Sequence, residues 1–161
     1  MALPTPRRYS KIEVPLHFVW GTFERRPIIT PEVERLVYRA IDAQVQRLGC
    51  TVLAIGGMPD HVHLAVLFTP NISIADFVRQ VKGTVSFQIR AHYKEDRFFR
   101  WQPNYAVIGF RLSQKERVIE YVLHQKIHHA EHRTVLAWEE TEVWEGTVLR
   151  RAGDVEAGSK L

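Results

Sequence analysis

The chain has 161 residues, with 22 Lys and Arg against 18 Asp and Glu, one cysteine and 45% hydrophobic residues. That length fits one domain with a real core, and the lone Cys50 excludes an internal disulfide framework. No apolar run nears the roughly 20 residues of a membrane span. The basic segment Met1 to Lys11 lacks a signal-peptide core, so a soluble cytoplasmic protein is expected.

Val14 to Phe23 is β-branched and aromatic, a predicted strand. Thr30-Pro31-Glu32 reads as N-cap, first-turn proline and first-turn acid of a helix whose apolar stripe runs Val33, Leu36, Val37, Ala40, Ile41 and Val45 to the stop at Gly49. Cys50 to Ile55 predicts a second strand, closed by Gly56-Gly57. Across the Pro59-Asp60 turn, His61 to Phe68 predicts a third strand, making a hairpin.

Ser73 opens a second helix through Phe77, Val81, Val85 and Ile89. Gly83 inside it costs up to about 1 kcal/mol against alanine, which suggests that something approaches the backbone there. Residues 97–104 form an aromatic, basic loop, and Tyr105 to Phe110 a short fourth strand. Ser113 with Glu116 reads as a capping box starting a third helix that runs to about Ala130. Beyond Trp144 the sequence turns polar, predicting one domain over residues 1–145 and a flexible tail over 146–161. The order β-α-β-β-α-β plus a helix predicts an α+β fold. It is the ferredoxin-like split β-α-β arrangement, a four-stranded antiparallel sheet with helices on one face and a C-terminal helix.

Charge divides unevenly along this order. Residues 1–133 hold nineteen Lys and Arg against twelve Asp and Glu, a net of +7, whereas residues 134–161 hold three against six, a net of −3. A basic body with an acidic end suits a polyanionic partner such as nucleic acid. The acidic end is not expected to bind DNA.

Two constellations carry chemistry. In Asp60-His61-Val62-His63, strand alternation points both imidazoles to one face, roughly 7 Å apart, able to share a metal ion. The competing reading is a pair of half-buried histidines bonded to neighbours. In the third helix, Tyr121 and Gln125 lie one turn apart on one face, while Ile119, Val122, Leu123 and Ala130 cluster on another side. Tyr121 is therefore placed off the core, as a candidate nucleophile, and Gln125 offers a carbonyl oxygen to a hard metal. The competing reading is a solvent-facing Tyr and Gln. Together, a divalent ion on His61, His63 and Gln125 and an attacking Tyr121 specify phosphodiester cleavage through a covalent phosphotyrosine, whose retained bond energy allows rejoining. The base that takes the Tyr121 proton is not identifiable.

The stretch Gly56-Gly57-Met58-Pro59-Asp60-His61-Val62-His63-Leu64 resembles the signature strand of the small HUH single-tyrosine transposases. Ile72 to Ser86, with its Lys82-Gly83 pair, resembles their second helix. Trp101-Gln102 and Tyr105 resemble the preceding loop and strand, and Glu120 to His129 the catalytic helix. The likeness spans about residues 14 to 140 and looks closest to the REP-associated tyrosine transposases and their insertion-sequence relatives. It implies His61, His63 and Gln125 as ligands of Mg²⁺ or Mn²⁺ and Tyr121 as the nucleophile. The implied activity is metal-dependent nicking and rejoining of single-stranded DNA beside small hairpins. Relatives are often homodimers, some completing each site with the partner's tyrosine helix; no small-molecule cofactor or membrane is implied. His124 departs from the usual Asn, which bears on how the helix is positioned, and Asn104 departs from a frequent Gly.

Arg25, Arg26, Arg79, Lys82, Arg97 and Arg100 are candidate phosphate contacts, Lys82 first among them, and Trp101 a candidate base-stacking residue; a solvated basic face is the alternative. Two rival functions remain. His128-His129-Ala130-Glu131-His132 matches the H-x-x-E-H zinc-peptidase pattern, but that reading leaves the other two pairs unexplained. A domesticated hairpin-binding module without cleavage would keep the fold and lose the chemistry.

Overall fold

The computed structural model describes residues 10–94 and 98–141. The first strand, β1 (Pro15–Gly21), is entirely buried. It leads through a short 3-10 turn to α1 (Pro31–Arg47), whose buried residues Val33, Val37, Ala40, Ile41 and Val45 follow the helical period. Strands β2 (Thr51–Met58) and β3 (His61–Leu67) form the predicted hairpin across Pro59-Asp60. Helix α2 (Ile74–His92) starts at Ser73, whose hydroxyl accepts from the Asp76 N–H at 3.1 Å, satisfying one orphan amide of the first turn. Strand β4 (Ala106–Gly109) completes the sheet.

The sheet order is β2-β3-β1-β4, with every neighbouring pair antiparallel. β1 and β2 thus flank β3, the split β-α-β topology expected for the α+β fold. Alternation along the strands gives the two faces different work. Leu16, Phe18, Trp20, Val62, Leu64 and Val66 join the buried residues of α1 and α2 in the main core. The opposite face carries His17, Val19, His61, His63, Ala65 and Ala54. Onto it pack α3 (Lys115–Leu123) and α4 (Gln125–Ala130) through Val118 and Val122. Among the described residues no helix is long and apolar enough to cross a membrane.

Four local expectations change. β2 does not stop at Gly56-Gly57 but runs through both. A Cβ on Gly56 would lie 1.8 Å from the Val122 carbonyl oxygen, so glycine there admits α3 rather than ending the strand. Ser113 does not cap the third helix: it lies inside a 3-10 turn, Leu112–Gln114, and the helix proper begins at Lys115. That turn is closed by the Gln114 side-chain oxygen accepting from the Arg111 N–H at 3.1 Å. The helix also breaks at His124 (φ −106°, ψ 28°), where the imidazole Nδ1 lies 2.9 Å from the Glu120 carbonyl oxygen. Finally, no atom outside the immediate helix backbone lies within 4 Å of a Cβ built on Gly83, so the close approach inferred there is not made by this chain. The expected tail, residues 146–161, lies outside the described residues.

Candidate active site

His61 and His63 stand on the same face of β3, as strand alternation requires, and both are buried rather than half-buried. Each is oriented through Nδ1. The Asp60 carboxylate lies 2.6 Å from Nδ1 of His61, and Arg25 Nε holds the other Asp60 oxygen at 3.2 Å. His17, on β1, places its Nε2 2.9 Å from Nδ1 of His63. The Asp60 carboxylate on Nδ1 of His61 selects the tautomer that leaves its Nε2 as a free acceptor. Burial and the neighbouring His63 push His17 down to about 3, so it is neutral throughout the physiological range.

The third helix brings its polar pair to this face. Tyr121 is 3% exposed, against the expectation that it lies off the core. The buried side of α3 and α4 is Val118, Tyr121, Val122, Gln125 and His128, while Leu123 and Ala130 face outward. The apolar residues misled because the sheet beneath presents histidines and small residues, which accept polar partners from above. Tyr121 and Gln125 do sit one turn apart, with Gln125 Nε2 donating to the Tyr121 carbonyl at 2.9 Å. The Tyr121 ring lies 5.8 Å from that of His63 and stacks on His128 at 4.9 Å.

Sequence reasoning missed Glu139. Residues 135–139 fold over the tyrosine: the Val135 N–H donates to the Tyr121 hydroxyl at 3.0 Å, and Trp138 packs on the ring at 4.8 Å. The Tyr121 hydroxyl donates to Oε1 of Glu139. Oε2 of the same carboxylate lies 3.3 Å from His61 Nε2, 3.4 Å from His63 Nε2 and 3.5 Å from His129 Nε2. One ligand atom from each of His61, His63 and Glu139 lies within 4.8 Å of the others. Nothing local separates Glu139 from Glu140, so no sequence signal marked it. It also brings the acidic end of the chain to this cluster, although the charge division had kept that end apart from the predicted catalytic residues.

The electrostatics follow from this crowding. Burial opposes ionisation of Glu139, but the imidazoles of His61 and His63 outweigh it and hold the carboxyl well below its usual range. Burial likewise opposes protonation of His61, yet Asp60 and Glu139 raise it above its ordinary value, whereas burial dominates at His63 and lowers it. Tyr121 is pushed up to about 12 by burial and the adjacent Glu139. The phenol is therefore protonated at neutral pH.

The donor set fits a divalent cation. His61 Nε2, His63 Nε2 and Gln125 Oε1 are all buried without a hydrogen-bond partner, an unfavourable state that a cation would relieve. The two imidazole nitrogens and one carboxylate oxygen that lie together suit Mn²⁺ and tolerate Mg²⁺.

The basic candidates are distributed differently. Arg25 belongs to the site through Asp60. Arg26 pairs with Glu24 at 2.8 Å, and Arg79 with Asp76 at 3.0 Å, both exposed. The Arg100 guanidinium lies 4.7 Å from the centre of the Phe23 ring. Lys82 donates to the carbonyls of Gln102 and Asn104 at 2.8 Å each and of Pro103 at 3.3 Å, so its ammonium fixes that loop. Burial lowers it to about 8. Trp101 is buried against Trp20 and Phe99, leaving little face for a base. Arg97 lies outside the described residues. The peptidase pattern dissolves: α4 ends at Ala130, and His132 has a positive φ of 53°, so His128 and His132 do not share a helix face.

A split β-α-β sheet thus carries paired histidines on one face, with the Tyr121 helix laid across them. Residues 10–125 match the family described as Transposase IS200 like, and the chain belongs to that family, with a role in DNA transposition. It is 27% identical over 114 residues to the ISDra2 transposase TnpA of Deinococcus radiodurans, covering 66% of this chain and 79% of that protein. Two solved structures share the fold. A D. radiodurans R1 protein assigned as a transposase has a TM-score of 0.60 at 22% identity, covering 83% of this chain and 99% of its own. A REP-associated tyrosine transposase bound to a REP hairpin has a TM-score of 0.56 at 17% identity, covering 79% and 74%.

Proposed function

We propose that this transposase is an HUH-type, metal-dependent endonuclease that nicks and rejoins single-stranded DNA at hairpin-flanked sites. The observation that carries this reading is convergence: the Tyr121 hydroxyl and Nε2 of both His61 and His63 meet across one carboxylate, that of Glu139. His61 and His63, with Gln125 or Glu139, are the residues that would hold Mg²⁺ or Mn²⁺. When bound, the ion supplies a Lewis acid for charge developing on the scissile phosphate.

The chain's own residues do the rest. Tyr121 Oη attacks phosphorus as its proton passes to the Glu139 carboxylate to which it already donates; the Oη–P bond forms, the bond to the leaving sugar oxygen breaks, and that oxygen takes up the proton, giving a phosphotyrosine and a free hydroxyl. The reverse attack by a new hydroxyl rejoins the strand without an external energy source. The Val135 N–H and His128 stacking hold the phenol in line, and Asp60 keeps Nε2 of His61 available. Arg25, Arg26, Arg79, Arg97 and Arg100 are proposed phosphate contacts. The family resemblance also supports a homodimer acting in the cytoplasm.

The test is incubation of end-labelled hairpin DNA with Mn²⁺ or Mg²⁺, resolved on a denaturing gel. A covalent adduct is expected that vanishes in Tyr121→Phe and with chelator. Binding without adduct on any hairpin, in either metal, would establish the non-cleaving module instead.

A further inference from the structure

Of the His128-His129 pair, His128 stacks on the nucleophile, whereas His129 has no part in the cleavage reading above. The tyrosine helix breaks at His124 and restarts at Gln125, and His129 falls one turn beyond Gln125. Its ring centre stands 5.1 Å from that of His61, and its Nε2 lies 3.5 Å from Oε2 of Glu139. The side chain is 28% exposed, yet Nε2 itself is shielded from solvent and has no hydrogen-bond partner. A ring nitrogen in that condition is unfavourable unless something else satisfies it.

One oxygen, Oε2 of Glu139, is thus surrounded by Nε2 of His61 at 3.3 Å, of His63 at 3.4 Å and of His129 at 3.5 Å, none of them hydrogen-bonded. Asp60 on Nδ1 of His61 leaves a lone pair on that Nε2, and a lone pair facing a carboxylate oxygen repels it unless a cation lies between. Spacing discriminates between cations. Ligands about 2.1 Å from a tetrahedral zinc ion lie roughly 3.4 Å from one another, whereas neighbouring ligands of an octahedral magnesium ion lie about 2.9 Å apart. All three separations from Oε2 match the tetrahedral edge. His129 Nε2 stands outside the group of donor atoms that all lie within 4.8 Å of one another, so its ring must turn to join them. Its partial exposure and its place at the end of the short helix α4 allow that turn.

We propose that His129 is a further metal ligand, closing a site of three imidazoles and the Glu139 carboxylate that selects Zn²⁺ over Mg²⁺. Imidazole donors favour late first-row ions, whereas Mg²⁺ favours oxygen. The proposal rests on the metal-dependent reading above, but its test needs no DNA. The full chain, freed of metal with chelator, is titrated with Co²⁺ as a spectroscopic substitute for Zn²⁺. Zn²⁺ affinity is then read by competition against a fluorescent zinc indicator. Wild type is expected to show the strong visible absorption of tetrahedral Co²⁺ and to keep Zn²⁺ against an excess of Mg²⁺. His129→Ala, shown to be folded by its melting curve, is expected to lose that absorption and to bind Zn²⁺ about tenfold or more weakly. His92→Ala, on the helix that packs against the other face of the sheet, changes neither. His129→Cys supplies a thiolate in place of the imidazole and is expected to restore Zn²⁺ binding. It also adds a near-ultraviolet sulfur-to-cobalt band, which buried Cys50 does not give in the wild type. That band carries the test if His129→Ala does not fold. Unchanged Zn²⁺ affinity in folded His129→Ala, or no sulfur band in His129→Cys, overturns the fourth ligand and leaves the proposed function standing. Wild type that binds no divalent ion overturns both.

Discussion

At the scale of single residues, Glu139 governs the protonation of Tyr121. Its carboxylate accepts the Tyr121 proton in a hydrogen bond and places a negative charge beside any phenolate, and both effects favour the neutral phenol. Removing the charge in Glu139→Gln therefore lowers the Tyr121 pKa from about 12 toward 10, short of it because burial remains. Tyrosinate absorbance against a Tyr121→Phe background reads this directly in metal-free protein; an unmoved titration would show that burial alone sets the value. Strand alternation and helical spacing are local rules, so the shared face of His61 and His63 and the one-turn separation of Tyr121 and Gln125 were legible in the sequence, whereas the burial of Tyr121 was not. Glu139 was invisible because it arrives by tertiary folding, 76 positions after His63, within an acidic stretch of which only an absence of DNA binding was expected. His17 was hidden for a related reason: its role exists only through the β1–β3 register, which sets it against His63.

At the scale of elements, close packing of α3 on β2 sets where the tyrosine stands. The Val122 carbonyl lies where a Cβ on Gly56 would be, and Val122 adjoins Tyr121 in sequence. Gly56→Ala must push α3 off the sheet, so we expect destabilisation of about 2 kcal/mol or more in urea unfolding, together with loss of cleavage. A cost under about 0.5 kcal/mol would mean that α3 has slack the structure does not show. The two serines read as caps separate cleanly. Ser73→Ala removes a real cap bond and is expected to cost about 1 kcal/mol. Ser113→Ala, in a 3-10 turn closed by Gln114, is expected to stay within about 0.5 kcal/mol of wild type. Helices and strands were legible because their periods are strong. The start of α3 was not, because a serine followed by a glutamate three residues later is a local signal that the Gln114 turn overrides.

At the scale of the whole molecule, the question is whether one chain contains a complete site. The tyrosine helix lies on its own sheet: Val118 and Val122 pack against Ala54 and Ala65, and Lys126 reaches Glu34 of α1 at 2.6 Å. Tyr121, His61, His63 and Glu139 meet within a single chain, with a link of only a few residues between β4 and α3. A cis arrangement makes a definite prediction about mixtures. If Tyr121→Phe and His63→Ala proteins are combined, every chain lacks one essential group, and no covalent adduct forms whether the protein is a monomer or a dimer. If instead the tyrosine served the partner's histidines, each mixed dimer would hold one intact site, and random pairing would restore roughly a quarter of the wild-type adduct. Adduct on the gel from the mixture, absent from either protein alone, would therefore move Tyr121 to the partner's site. The packing of α3 against β2 would then describe only one of two positions that this helix can take.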